Sequence, residues 1–237
     1  MTTHTNAIVA LDVASSDSAR KLVEVLGDRC DFYKVGLELY AADGPAVVRW
    51  LRSQRKRVFV DLKAYDIPNT VRGVARSVAS LGASLLTVHA SGGDAMIAAA
   101  VEGAGAQDGS GCGILAVTVL TSFDAGSYGR AVGRDGVDVG AEVLRLAGAA
   151  DRAGAHGVVC SGLESRIVVD HFEGRVRTLV PGVRLESGPT HDQARVVTPA
   201  GAAAAGASYI VLGRAVTAAA DPRAALESAL AASHIRT

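Results

Sequence analysis

The sequence predicts a single-domain α/β protein folded as a closed (β/α)8 TIM barrel. Three observations carry this expectation. First, eight short apolar, β-branched runs recur at residues 8–11, 32–35, 58–62, 85–88, 114–119, 157–159, 176–180 and 209–212. Their near-continuous hydrophobicity fits strands buried on both faces, as in a parallel sheet covered by helices. Second, the segments between them have helical spacing, as in Ala19, Leu22, Val23 and Leu26, and many open on Ser, Asp or Asn and end near Gly. Third, 237 residues shared among eight units gives about 30 per unit, which suits a barrel of roughly 200 to 250 residues. A doubly wound open sheet is the structural alternative. The barrel takes up residues 1–237, with short flexible tails at both ends.

In a barrel, reactive groups gather where the strands end at their carboxyl side, so the residues that close each run identify the candidate site. The first run ends at Asp12 and the second carries Lys34. The third carries Asp61 and Lys63, and the fourth ends at His89. The fifth leads to Thr121 and Ser122, the seventh to Pro181, Gly182, Val183 and Arg184, and the eighth to Gly213 and Arg214. Ser16 with Asp17, and Asn69 before Thr70 and Val71, are helix-start signals. The basic run at 52–57 caps a helix end, Trp50 is helix packing, and the Gly- and charge-rich stretch 128–139 reads as an exposed loop.

Composition excludes several classes. Twenty-four Lys plus Arg balance 24 Asp plus Glu, and 49% of residues are hydrophobic, so neither disorder nor a nucleic-acid partner is indicated. Cys30, Cys112 and Cys160 are odd in number and widely spaced, which gives neither a disulfide framework nor a zinc site. Residues 1–7 lack a basic leader region, and the most apolar stretch, 199–212, is shorter than the roughly 20 residues that span a bilayer. A cytoplasmic protein with no membrane segment is expected.

Of the 24 cationic residues only four are lysines, Lys21, Lys34, Lys56 and Lys63. Arg is the default cation, so a Lys among apolar neighbours suggests work that guanidinium cannot do, such as donating a proton. Lys34 and Lys63 are so placed. Asp61 and Lys63 are two apart on one strand and share a face, and Lys34 on the neighbouring strand can meet them. A buried structural ion-pair network is the alternative. Arg184, Gln193, Gly213 and Arg214 supply the parts of a phosphate site, with Gly213 as a turn and Arg214 as a solvated side chain the other reading. His89 reads as a hydrogen-bonded structural histidine.

The segment Asp61-Leu62-Lys63-Ala64-Tyr65-Asp66-Ile67-Pro68-Asn69-Thr70 resembles the signature of the orotidine 5′-phosphate decarboxylase family. The likeness extends to Leu11-Asp12, Tyr33-Lys34-Val35-Gly36, Thr87-Val88-His89-Ala90, Val119-Leu120-Thr121-Ser122, Pro181-Gly182-Val183-Arg184, Asp192-Gln193 and Leu212-Gly213-Arg214, and covers about residues 8–225. The resemblance implies decarboxylation of orotidine 5′-monophosphate without cofactor or metal. It places Lys34, Asp61, Lys63 and Asp66 around the pyrimidine C6 carboxylate, with Asp66, Ile67 and Thr70 supplied by the other subunit of a homodimer. It also assigns Asp12 to the ribose and Thr121 and Ser122 to the pyrimidine side. The 5′-phosphate falls to Arg184, Gln193, Gly213 and Arg214, and Pro181 is a further substrate-binding residue. On this basis Lys63 stabilises the C6 carbanion and protonates it, while Asp61 orients Lys63.

Two alternatives stay open. One is a Mg2+-dependent sugar-phosphate decarboxylase or aldolase; such relatives carry an acidic residue where Lys34 stands, and an ammonium would repel the cation. The other is a specialised paralogue, or a non-catalytic nucleotide-binding barrel, for a related pyrimidine nucleotide. The chain departs from the family pattern at Ala64-Tyr65, where a bulky apolar residue and His are common, and at Leu185-Glu186, where Pro and a small residue are usual.

Overall fold

The computed structural model describes residues 4–105, 111–185, 197–231 and 235–237. All eight apolar runs form strands: β1 (Thr5–Ala10), β2 (Phe32–Gly36), β3 (Arg57–Ala64), β4 (Leu85–His89), β5 (Gly113–Val117), β6 (Gly157–Val159), β7 (Arg177–Val180) and β8 (Tyr209–Leu212). Each lies parallel to the next, and β1 pairs with both β8 and β2, which closes the sheet into a barrel. At the carboxyl end of the chain, β9 (Ile235–Arg236) pairs with β1 through Thr5 and Asn6. Strand ends differ from the sequence expectation by a few residues. In particular β5 stops at Val117, so Thr121 and Ser122 lie in the loop beyond it.

Helices cover the outside of the sheet: α1 (Ser16–Leu26), α2 (Leu37–Asp43), α3 (Pro45–Ser53), α4 (Pro68–Ser80), α5 (Gly93–Gly103), α6 (Ala125–Val132), α7 (Val139–Arg152), α8 (Gly162–His171), α9 (Pro199–Ala204), α10 (Arg214–Thr217) and α11 (Pro222–Leu230). Helix α1 shows the pattern at work. The Ser15 hydroxyl accepts from the Ser18 backbone N–H, and Ala19, Val23 and Leu26, on one face, are buried. None of the helices among the described residues is long and apolar enough to cross a membrane. Cys30, Cys112 and Cys160 are buried, and none of them forms a disulfide among the described residues.

Two local expectations are corrected. Helix α4 begins at Pro68, with Ile67 rather than Asn69 at the cap, because the fixed φ of proline suits the first helical position. The stretch read as a loop over 128–139 begins inside α6, where a reciprocal cap between Asp124 and Ser127 starts a helix that continues to Val132. Gly126 and Gly129 hide this helix from a propensity argument. Gly129 is required there, since a Cβ would lie 2.5 Å from the Arg134 carbonyl oxygen. The basic run at 52–57 does close a helix: Arg52, in the last turn of α3, donates to the Lys56 carbonyl at 2.8 Å, and Lys56 Nζ donates to the carbonyls of Gly27 and Cys30.

Two apolar cores result. One lies between sheet and helices, and the other fills the barrel with Ile8, Ala10, Phe32, Phe59, Leu85, Leu115, Val117, Val159, Leu179 and Val211. Strand alternation then dictates what comes next. Two residues further along from Ala10, Phe32, Phe59 and Leu85 stand Asp12, Lys34, Asp61 and Thr87, so a polar layer sits directly on the apolar interior.

Outside the barrel, Glu142 of α7 is almost fully buried and ties α6 to α7. Arg145 donates to both of its oxygens at 2.8 and 3.0 Å, and Tyr128 Oη donates at 3.0 Å. The Arg145 hydrogen bonds pull the carboxyl down; burial opposes them, and the Tyr128 bond and the charges of Arg145 and Arg134 assist. The net value is about 2. A depressed carboxyl stabilises the fold above its ordinary value of 4.5 and loses that contribution as pH falls towards about 2. The expected outcome for Glu142→Gln, in urea denaturation, is a stability deficit relative to the parent that shrinks as pH is lowered through this window. A deficit independent of pH would contradict this assignment.

Candidate active site

The polar layer is assembled from the ends of β1, β2 and β3. Lys34 Nζ, on a side chain that is nearly buried, lies 2.7 Å from Asp12 Oδ1 and 3.6 Å from Asp61 Oδ2. Lys63 Nζ donates to Asp61 Oδ1 at 2.9 Å. Asp61 therefore stands between two ammonium groups. The close packing of this cluster needs Gly36, because a Cβ there would lie 2.8 Å from Asp12 Oδ1 and 3.0 Å from Lys34 Nζ.

Burial by itself raises the Asp61 carboxyl. The charges of Lys34 and Lys63, with hydrogen bonds from Lys63 and Thr87, outweigh it and hold the group below the ordinary carboxylate range. At 4 Å a pair of unit charges is worth about 4 kcal/mol at an effective dielectric near 20, against about 1 kcal/mol in water. The enclosure thus keeps Asp61 ionised where isolated burial would neutralise it.

Lys63 does not sit in regular strand. Its φ is 50°, in the left-handed region, where an L residue costs roughly 1–2 kcal/mol. The register of β3 on β4 shifts here: Val60 pairs with Leu86 and Ala64 with Val88, so Asp61, Leu62 and Lys63 share the space opposite Thr87. The sequence expectation that Asp61 and Lys63 share a face by simple alternation is met in outcome, yet it comes about through a bulge.

This cluster forms one wall of a cavity of about 520 Å3 at the carboxyl end of the barrel. Phe59, Val117, Val159, Leu179 and Val211 make an apolar floor, Thr121 and Ser122 line one side, and Pro181, Arg184, Gly213 and Arg214 line another. Arg184 is nearly buried, and its backbone N–H donates to the Val197 carbonyl at 3.0 Å. A Cβ on Gly213 would meet nothing within 4 Å. Four cations and two anions line the cavity, so its formal charge is +2.

The structure thus brings together Asp12, Lys34, Asp61, Lys63, Thr121, Ser122, Pro181, Arg184, Gly213 and Arg214. It does not bring Asp66, Ile67 and Thr70 to this cavity. These are exposed on the loop after β3 and the first turn of α4, with Ile67 67% and the adjacent Tyr65 62% accessible. Gln193 and Glu186 lie outside the described residues, while Leu185 packs against the outer core. His89 meets the Tyr65 ring edge-on at 5.8 Å. Thr87, at the heart of the bulge, is a residue that reasoning from the strand ends passed over; its place two residues before His89 on the inward face was the available signal.

The arrangement can hold a planar apolar ring over the barrel interior, place an anion near the arginines and present an ammonium to the ring edge. Comparison with known proteins agrees in extent. Residues 5–229 match the model of the orotidine 5′-phosphate decarboxylase / HUMPS family. An orotidine 5′-phosphate decarboxylase of Anaeromyxobacter sp. (strain K) is 49% identical over 216 residues, covering 91% of this chain and 92% of that protein. One from Moorella thermoacetica is 46% identical over 222 residues, covering 92% and 88%. The crystal structure of orotidine 5′-phosphate decarboxylase from Lactobacillus acidophilus superposes with a TM-score of 0.83 at 38% identity, covering 95% of this chain and 97% of that one.

Burial, reinforced by the Lys63 ammonium and opposed by Asp61, lowers the titration of His89 below its ordinary 6.5. Replacing Lys63 by Met removes the cation and leaves Asp61 less compensated, and both changes favour the imidazolium. An NMR titration of the His89 ring is expected to give a midpoint below 6.5 in the parent and a higher one in Lys63→Met. An unchanged midpoint would show that the two groups are not electrostatically in contact.

Proposed function

This chain belongs to the orotidine 5′-phosphate decarboxylase / HUMPS family, and from that premise we infer that it is a carboxy-lyase converting orotidine 5′-monophosphate to uridine 5′-monophosphate in pyrimidine synthesis. The observation that carries the reading is the Asp12, Lys34, Asp61, Lys63 cluster set on an apolar floor, with Arg184 and Arg214 also lining the cavity.

We assign the chemistry as follows. The C6–carboxylate bond breaks, CO2 leaves, and the electron pair stays on C6 in an orbital in the plane of the ring. Such a pair is poorly delocalised, so its stabilisation must come from a cation already in place. Lys63 Nζ supplies the charge and then its proton to C6, leaving a neutral amine that is reprotonated from solvent. Asp61 orients the ammonium through the 2.9 Å contact, and its negative charge disfavours the substrate carboxylate beside it. Lys34 keeps Asp61 ionised and joins it to Asp12, which binds a ribose hydroxyl. Thr121 and Ser122 bind the pyrimidine side. The 5′-phosphate is taken by Arg184 and Arg214 with the backbone N–H at Gly213, and by Gln193, while Pro181 lines the cavity beside them. A lining charge of +2 suits a dianion. Phosphate binding fixes the ring over Lys63, so remote contacts serve turnover as well as affinity.

A second chain completes the site. Asp66, Ile67 and Thr70 stand outside their own cavity, and the exposed pair Tyr65 and Ile67 beside Asp66 gives a partner apolar surface to cover. We place these three residues at the cavity of the partner in a homodimer. Lys34 argues against a Mg2+-dependent sugar-phosphate reaction, because its ammonium, 2.7 Å from Asp12 and 3.6 Å from Asp61, would repel a dication from the carboxylates available to hold it.

The direct test follows loss of orotate absorbance with purified protein. The parent is expected to turn over with and without EDTA, and Lys63→Ala to lose turnover by at least about a thousandfold while still binding uridine monophosphate. Near-normal turnover in Lys63→Ala would remove Lys63 from the role, and EDTA loss reversed by Mg2+ would favour the sugar-phosphate reading. Mixing Lys63→Ala with Asp66→Asn chains, each inactive alone, is expected to restore activity through hybrid dimers with one intact site. No recovery from demonstrably exchanged subunits would refute site sharing.

A further inference from the structure

We propose that Thr87 is a positioning residue of the decarboxylation centre, aiming the Lys63 ammonium by tying both the Lys63 backbone and the Asp61 carboxylate to one hydroxyl. The inference rests on the decarboxylase reading above and adds a residue that does not touch the substrate cavity.

Three residues of β3, Asp61 to Lys63, occupy the space opposite Thr87 on β4, so the regular ladder of backbone hydrogen bonds is interrupted where the reactive side chains emerge. A buried N–H that leaves the ladder needs another acceptor. For Lys63 that acceptor is Thr87 Oγ1, at 2.9 Å. The same hydroxyl donates its proton to Asp61 Oδ1 at 2.8 Å, and Asp61 Oδ1 in turn accepts from Lys63 Nζ at 2.9 Å. The result is a closed ring in which Lys63 is held at both ends, by its backbone on Thr87 and by its ammonium on the carboxylate that Thr87 anchors.

Each property of Thr87 serves this arrangement. A hydroxyl offers one donor and two acceptor sites, which lets one small group serve an N–H and a carboxylate together. The residue is fully buried, at 0% exposure, so no solvent competes for either bond. The left-handed φ of 50° at Lys63 persists only while its surroundings hold it. Without the hydroxyl, the Lys63 N–H loses its acceptor, Asp61 Oδ1 loses a donor, and the lysine backbone is released to relax. The ammonium then moves relative to C6, although the surfaces that grip ring, ribose and phosphate are unchanged. A residue that only filled space would behave differently, since valine fills nearly the same volume.

The test compares the parent, Thr87→Val and Thr87→Ser in three measurements: kcat and KM for orotidine monophosphate, Kd for uridine monophosphate, and the rate at which the C6 hydrogen of uridine monophosphate exchanges in D2O. Thr87→Val is expected to lose roughly 10- to 100-fold in kcat and in C6 exchange together, the scale of a small misplacement of a catalytic group, with Kd changed by less than about threefold. Thr87→Ser, which keeps the hydroxyl, is expected to stay within about threefold of the parent in kcat. A folded Thr87→Val with kcat within about twofold of the parent overturns the proposal, as does a loss confined to Kd. Should Thr87→Val fail to fold, Thr87→Ser decides: kcat within about threefold supports the role, and a loss above about tenfold in the folded protein refutes it. A parent that does not decarboxylate orotidine monophosphate overturns the underlying reading instead, which the first measurement reports separately.

Discussion

An ionised carboxylate enclosed between two ammonium groups is the constraint on which this site depends. Asp61 is nearly buried, so it carries its charge only because Lys34 and Lys63 stand within 3.6 and 2.9 Å. Removing either cation would leave a buried charge poorly compensated, which is costly, whereas the intact cluster is balanced. The same balance keeps an ammonium fixed at the edge of an apolar cavity before any substrate arrives. Electrostatic stabilisation of a developing carbanion depends on such advance placement, since no reorganisation is then needed as the charge forms.

The barrel delivers this arrangement by parity. Inward positions along each strand alternate with outward ones, so the apolar layer of Ala10, Phe32, Phe59 and Leu85 is followed by Asp12, Lys34, Asp61 and Thr87. Neighbouring strands therefore carry Lys34, Asp61 and Thr87 towards the carboxyl end of the barrel, with Asp12 two residues beyond the end of β1. The apolar layer beneath them lowers the local dielectric, and the loops after β7 and β8 set Arg184 and Arg214 around the same cavity. Fold and electrostatics are in this sense one design: the barrel interior both floors the cavity and strengthens the charges at its rim.

Much of this was legible in the sequence, for identifiable reasons. Eight apolar runs became eight barrel strands because burial on both faces leaves a strong compositional trace in parallel strands. Lys34 and Lys63 stood out because Arg is the usual cation of the chain. What escaped was local and contextual. Helix α6 is short and carries Gly126 and Gly129, so its start rests on a cap rather than on propensity. The bulge at Lys63 contradicts intrinsic preference, since lysine does not favour positive φ, and such conformations follow from tertiary restraint. Thr87 looked like an ordinary strand former, because a β-branched hydroxyl residue is equally at home in any buried strand. Asp66, Ile67 and Thr70 are outside the cavity of their own chain, so one chain by itself gives them no partner in the site.

If Asp61 holds the Lys63 ammonium where a nucleobase carbanion would form, a crystal structure of the protein with uridine monophosphate bound will show it. The Lys63 nitrogen is expected within about 3–3.5 Å of the pyrimidine C6, still hydrogen-bonded to Asp61, with the phosphate at Arg184 and Arg214. A nucleotide seated in the cavity with that ammonium turned away from C6, or with its phosphate held elsewhere, would contradict it.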